Sequence, residues 1–272
     1  MSFDESKVLD FEKAKDNIIF RVVNQEGNED ILKKIPFTAI EDLALTYHVV
    51  VKLDEEISGT IQVNNEIFHG YGVSLETLYE IAANNMSEQM HYTFTSMKDM
   101  MRNAVLRNII EESGVDKDTA EMIVNGVINN MEESTEMYMI TTAEVQYGAA
   151  AFFYPGVQES IAERLGGDYY MLPSSLHEVM VMRADCGYAP EELKGIVQEV
   201  NETQVAHEDR LNDHVYAYDA KEKKLYRADK TPEREEKKEK GFQERLKEKQ
   251  AESKALSKDM AKPEKKKREE CL

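Results

Sequence analysis

The chain has 272 residues, 41% of them hydrophobic, enough to build a core, and carries a formal charge of −19. The excess is one-sided: residues 227–272 hold 16 Lys or Arg against 12 Asp or Glu, leaving 18 basic and 41 acidic side chains in residues 1–226. An acidic body of this kind repels phosphate backbones, which excludes nucleic acid as its partner and leaves such contact to the Lys-rich tail. The two cysteines, Cys186 and Cys271, form no disulfide framework and suit a reducing cytosol. The start, MSFDESKVLDFEKAKD, has no apolar h-region, and no run approaches the ~18 apolar residues of a membrane span. The expectation is a soluble, cytoplasmic protein.

In chain order the body reads as α+β, a mixed or antiparallel sheet with packed helices. Asn17–Asn24 is β-branched and aromatic, as strands are. Ile31–Ile35 is a short helical turn stopped by Pro36. Leu43–Val51 is apolar throughout, and periodicity does not separate a buried helix from a strand there. Gly59–Val63 and Glu66–Phe68 predict a hairpin around Asn64-Asn65. Ser74 is the predicted N-cap of a helix over Ser74–Asn85, with Leu75, Leu78, Tyr79 and Ala82 on one face. Ser96–Glu112 is a second helix, ended by Gly114, whose stripe includes Met97, Met100, Met101, Val105, Leu106 and Ile109. Asp116–Asn130 is a third, with Ala120, Ile123, Val124, Val127 and Ile128 facing in.

Met137–Thr141 is a predicted strand. Pro155 suits the start of a helix running to Leu165, which Gly166-Gly167 closes. Asp168–Leu172 and Glu178–Met182 are strands joined by PSSLH. Pro190 opens a helix to about Thr203 with Glu191 and Glu192 in its first turn. His214–Asp219 and Lys224–Arg227 close the body as a hairpin. From Ala228 dense Glu and Lys predict a charged, helical or disordered tail that buries no core. The expected division is therefore an α+β domain over 1–227 and a Glu/Lys-rich tail over 228–272.

One stretch is specific enough to recognise: YGAAAFFYPGVQESIAERLGGDYYMLPSSLHEVMVM from Tyr147, followed by EVN and DHVYAYD. With LDFEKAKDNIIFRVVN and VSLETLYEIAANN upstream, it resembles an uncharacterised family of clostridia and other Firmicutes, domain of unknown function 5688, often encoded near mobile elements. The resemblance covers most of residues 9–227 and implies no activity. Against the family pattern, the DFEK block begins within ten residues of Met1, which implies a shortened member. The region from Gly114 to Glu133 is longer than expected, as an inserted helix would make it.

Two clusters invite chemistry. Ser174, Ser175, His177 and Glu178 suggest a nucleophile–base pair, but neighbouring residues on a tight turn rarely align a hydroxyl with an imidazole, and no Gly-x-Ser-x-Gly elbow is present. The alternative is a β-turn shaped by Pro173, with serine hydroxyls bonding the local backbone. His207, Glu208, Asp209, Asp213 and His214 form the densest set of metal-capable groups, yet their spacing matches no zinc pattern and reads equally as a polar loop before a strand. Cys186 has only Arg183 near it in sequence and reads as a loop thiol. Tyr169 and Tyr170 point to opposite faces of a strand, so one of them is expected at an edge or surface.

No phosphate-cradling loop or dinucleotide fingerprint stands out, so no cofactor is expected. The leading reading is a non-enzymatic accessory protein that binds another protein. The alternative is a hydrolase-like or metal-dependent enzyme in which His177 and His207–His214 converge. A third is nucleic-acid contact by the tail.

Overall fold

The computed structural model describes residues 4–52, 58–128, 136–143, 147–173 and 175–230. Two short helices, α1 (Ser6–Leu9) and α2 (Phe11–Ala14), lead into strand β1 (Ile18–Asn24). Helix α3 (Glu29–Leu32) precedes the hairpin of β2 (Phe37–Ile40) and β3 (Leu43–Lys52), and β4 (Ser58–Gln62) returns along β3. β3 is the centre of this first sheet, with β1 on one side and β2 and β4 on the other, all antiparallel. Every residue from Leu43 to Val49 is buried. That resolves the ambiguity of the apolar run: it is a central strand covered on both faces, and such strands lose the alternation that marks half-buried ones.

The hairpin expected around Asn64-Asn65 is not formed. Asn64 is extended at φ −91° and caps helix α4 (Asn65–Tyr71), its Oδ1 accepting the Ile67 N–H at 2.8 Å. Asn serves both turns and N-caps by the same local hydrogen bonding. Here Val63, fully buried and bonded through its N–H to the Tyr47 carbonyl, ends the strand first.

Helix α5 (Leu75–Gln89) is capped by Ser74, whose Oγ accepts the Thr77 N–H at 3.1 Å. It buries Leu78, Ala82, Ala83 and Met86 against β1, while Leu75 stays exposed. The Asn85 amide bonds the carbonyls of Lys15 and Ile18 at 2.7 and 2.9 Å, tying the helix to the start of β1.

The second sheet is antiparallel throughout, in the order β10-β9-β7-β8-β6-β5. Its strands are β5 (Tyr92–Ser96), β6 (Met137–Thr142), β7 (Tyr169–Leu172), β8 (Val179–Arg183), β9 (Tyr216–Asp219) and β10 (Lys224–Arg227). β5 and β6 pair directly, with α6 (Met97–Ser113) and α7 (Lys117–Ile128) in their connection as a helical hairpin. Ser96 caps α6, and Gly114 ends it at φ 64°. No residue of the apolar stripe of α6 is fully buried; Met101 is exposed and the others named are half-buried. On α7, Ala120 and Val124 are buried but Ile123 is 46% exposed, and the side chains of Val127 and Ile128 lie outside the described residues.

A 3-10 turn over Gly148–Phe153 touches β1, β6 and β8, and all six of its residues are buried. It sits within one core that joins Phe20, Tyr47 and Val49 of the first sheet to Ile140, Met171, Val181 and Tyr216 of the second. Helix α8 (Val157–Leu165) packs beside it and ends at Gly166, φ 82°. Helix α9 (Pro190–Gln204) brings Leu193 and Val197 to a second cluster with Leu172, Met182, Val215 and Ala217. This second cover corrects the expectation for the tyrosine pair. Tyr169 is fully buried in the main core, and Tyr170 is half-buried on the α9 cluster rather than at a surface. No helix among the described residues is long and apolar enough to cross a membrane.

Candidate functional site

Ser175, His177 and Glu178 sit in the turn between β7 and β8; Ser174 lies outside the described residues. Ser175 is 3% exposed and forms an antiparallel bridge with Arg210. Its Oγ accepts the backbone N–H groups of His177 (2.9 Å) and Glu178 (3.3 Å) and donates to Glu178 Oε1 at 2.8 Å. The oxygen's lone pairs and its proton are thus used within the turn, and the residue is almost fully buried. The His177 ring points elsewhere. Its Nδ1 accepts the Tyr147 N–H at 3.3 Å, which places the ring proton on Nε2, 3.4 Å from Asp209 Oδ1. The arrangement orders the turn and offers no hydroxyl to the imidazole.

The segment from His207 to His214 does not act as one group. His207 and Glu208 are exposed in a 3-10 turn. Asp209 faces His177, and its carbonyl accepts the Leu176 N–H at 2.8 Å, so the two suspected segments do meet at one point. Asp213 turns to α9, accepting from the buried Asn201 amide at 2.7 Å. His214 goes to Asp42, its Nδ1 2.5 Å from Oδ2. Among the described residues no three His, Cys, Asp or Glu side chains are grouped to hold a metal ion. Arg183 is likewise taken, its guanidinium making two 2.7 Å bonds to Asp185, while Cys186 packs on the α9 cluster.

Asp42 is the focus that sequence reasoning missed. It occupies the two-residue turn of the β2–β3 hairpin after Glu41, whose φ is +54°. Gln25 clamps the turn, donating to the carbonyls of Glu41 and Leu43 and, through its backbone N–H, to that of Asp42. The Asp42 carboxylate accepts from His214, from the Tyr216 hydroxyl and from Arg227 Nη1 (3.1 Å). Arg227 in turn bonds Asp229 through Nε (3.0 Å) and Nη2 (2.5 Å). Burial, and then the Asp42 charge, push the Tyr216 phenol well above its ordinary range, so it stays a donor. The Arg227 bond holds the Asp229 carboxyl below the usual carboxylate range.

This network joins the tip of the first sheet to the edge hairpin of the second. The crevice beside His214, lined also by Pro190, Glu191, Lys194, Val215 and Asp229, has a volume of about 20 Å³, room for one water and not for a substrate. Asp42→Ala is therefore expected to act on stability. It strands His214, Tyr216 and Arg227 around a partly solvated gap and costs about 2 kcal/mol in urea unfolding. A loss under about 0.5 kcal/mol would show that the contact is incidental.

A second polar strip crosses the first sheet. The Arg21 guanidinium lies 3.7 Å over the Tyr147 ring and donates to Thr60 Oγ1 at 2.8 Å. His48 is buried beside it, its Nε2 3.1 Å from Thr46 Oγ1. Tyr147 thereby links Arg21 of the first sheet, through its ring, to His177 of the second, through its N–H.

Residues 1–220 match the family described as Family of unknown function (DUF5688), the one read from the signature. No curated protein and no solved structure matches the chain.

Proposed function

The chain belongs to the family of unknown function DUF5688, and from that premise we propose that it is a non-enzymatic accessory protein that docks a protein partner on the α6–α7 hairpin. One observation carries this reading. The 17 residues of α6 include Met97, Met100, Met101, Val105, Leu106, Ile109 and Ile110, and none is buried. Met122 of α7 is itself 70% exposed. A helix with this composition gains from further burial, at roughly 25 cal/mol per Å², and in this fold Met101 is exposed and the other six side chains are only half-buried. The polar groups with chemical potential support the same reading from the other side, since Ser175, Asp42 and Arg183 are each engaged in holding turns and sheets together.

A photo-crosslinking residue placed in living cells at position 106 or 110 tests the proposal. Protein adducts are expected from both positions and not from position 221, on the exposed β9–β10 turn. Absence of adducts at 106 and 110, or equal adducts at 221, sinks the reading.

A further inference from the structure

We propose that the partner seated on α6 is a second copy of this chain, packed antiparallel against the same helix; this rests on the reading just given. Asn103, Leu106, Arg107, Ile110 and Glu111 line a shallow groove on one side of α6. Their spacing, i, i+3, i+4, i+7, i+8, is a single continuous face. Its apolar centre, Leu106 and Ile110, is flanked by one cation and one anion a helical turn apart. Arg107 and Glu111 are both exposed, and neither has an ion pair or hydrogen bond among the described residues. Both charges are exposed on the helix surface, where a partner can reach them.

Such a face is complementary to itself. A two-fold axis crossing α6 between Arg107 and Glu111 reverses the second helix. It sets Arg107 of each copy against Glu111 of the other and leaves Leu106 and Ile110 of the other copy two residues, about 3 Å, out of step along the axis, within side-chain reach. The charge pair forms twice, as an isologous contact requires. A parallel copy would place like charges side by side.

The rest of the molecule restricts where two copies can meet. Residues 1–226 carry 41 acidic and 18 basic side chains, so most surface pairings repel. Two long windows, Leu53–Met97 and Asp118–Glu163, hold no Lys or Arg. α6, lying between them, carries Lys98, Arg102 and Arg107. At physiological salt, charges beyond about 8 Å are screened, so a locally balanced contact can hold against the overall repulsion. α6 is about 25 Å long at 1.5 Å per residue, which makes a contact at the small end of stable interfaces. The dimer is therefore weak, with a Kd of order micromolar.

Sedimentation equilibrium of the full chain from about 1 to 100 µM reads the outcome. The wild type is expected to pass from monomer to dimer across that range. Arg107→Glu and Glu111→Arg each place like charges together and raise Kd at least tenfold. Carried in one chain, the two substitutions exchange the charges and bring Kd back to within about threefold of wild type. Mixing the two single variants is expected to give a heterodimer. Far-UV circular dichroism of each variant separates lost pairing from lost folding, and the restored double variant does so independently.

A wild type that stays monomeric at 100 µM overturns the proposal, as does a double variant no better than the singles. If the crosslinker at position 106 then captures a different protein, docking on α6 stands and self-pairing falls. If it captures nothing, both fall.

Discussion

Replacing Gly148 by alanine is expected to destabilise the protein by about 3 kcal/mol or more. Gly148 opens the buried 3-10 turn at the point where it passes between β6 and the β7–β8 turn. A Cβ there would stand 2.8 Å from the Thr142 nitrogen and closer still to Thr141 Oγ1 and the His177 carbonyl oxygen. Those groups have little room to yield. Thr141 Oγ1 donates to the His177 carbonyl at 2.7 Å, and the Ala149 N–H bonds the Leu176 carbonyl at 3.1 Å, so strand, 3-10 turn and β7–β8 turn are laced together. The requirement is for space and not for backbone freedom.

Gly195 gives the contrast. It lies exposed inside α9 with nothing within 4 Å of an added Cβ, and Gly195→Ala should stabilise by about 0.5–1 kcal/mol through helix propensity. Urea unfolding followed by far-UV circular dichroism measures both. A Gly148→Ala loss below about 0.5 kcal/mol would mean that strand and turn can separate at little cost.

The second large effect depends on pH. His48 is 7% exposed on the central strand of the first sheet, and burial, reinforced by the Arg21 charge, lowers its pKa from 6.5 to about 3. Above pH 6.5 the ring is neutral in both states and contributes no pH dependence. Below it the unfolded chain binds a proton that the folded chain refuses, so stability falls as pH falls, at about 1.4 kcal/mol per unit. By pH 4.5 the loss should be of order 2–3 kcal/mol. His48→Gln keeps a polar atom toward Thr46 and removes the titration, so its stability should change little from pH 6.5 to 4.5. Asp229, held low by Arg227, adds a loss of the same sign only nearer pH 4, outside that window. Chemical denaturation of both proteins at several pH values isolates His48 from the other histidines. Parallel curves would refute the assignment.

Much of the fold is legible locally because caps and glycines act within a few residues. Ser74 and Ser96 each accept an N–H three residues on, and Gly114 and Gly166 end their helices in the left-handed region. The strands on either side of PSSLH pair in register from Tyr169–Arg183 to Leu172–Met180, as their apolar alternation suggests. Where local chemistry serves two ends, the reading fails. Asn64 suits a hairpin turn or an N-cap, and the choice depends on Val63 being held under Tyr47, a contact formed only when β4 reaches β3.

The α6 stripe shows a different limit. Periodicity says which side of a helix is apolar, and it is silent on whether anything in the same chain covers that side. The candidate site divides in the same way. His177 and Asp209 are joined by the adjoining Leu176–Asp209 backbone bond, yet nothing near His214 in sequence announces Asp42, 172 positions away.

The amino-acid sequence by itself determined the α+β class, most helix boundaries, the antiparallel pairing around PSSLH and the family. These follow from hydrogen bonds and apolar periods that span a few residues. Only the tertiary structure decided that Ser175 serves its own turn, that His214 belongs to Asp42, and that the apolar stripe of α6 is no more than half-buried. Those outcomes depend on which distant surfaces the folded core brings within 3 Å of one another, and such meetings leave no period or spacing in the chain.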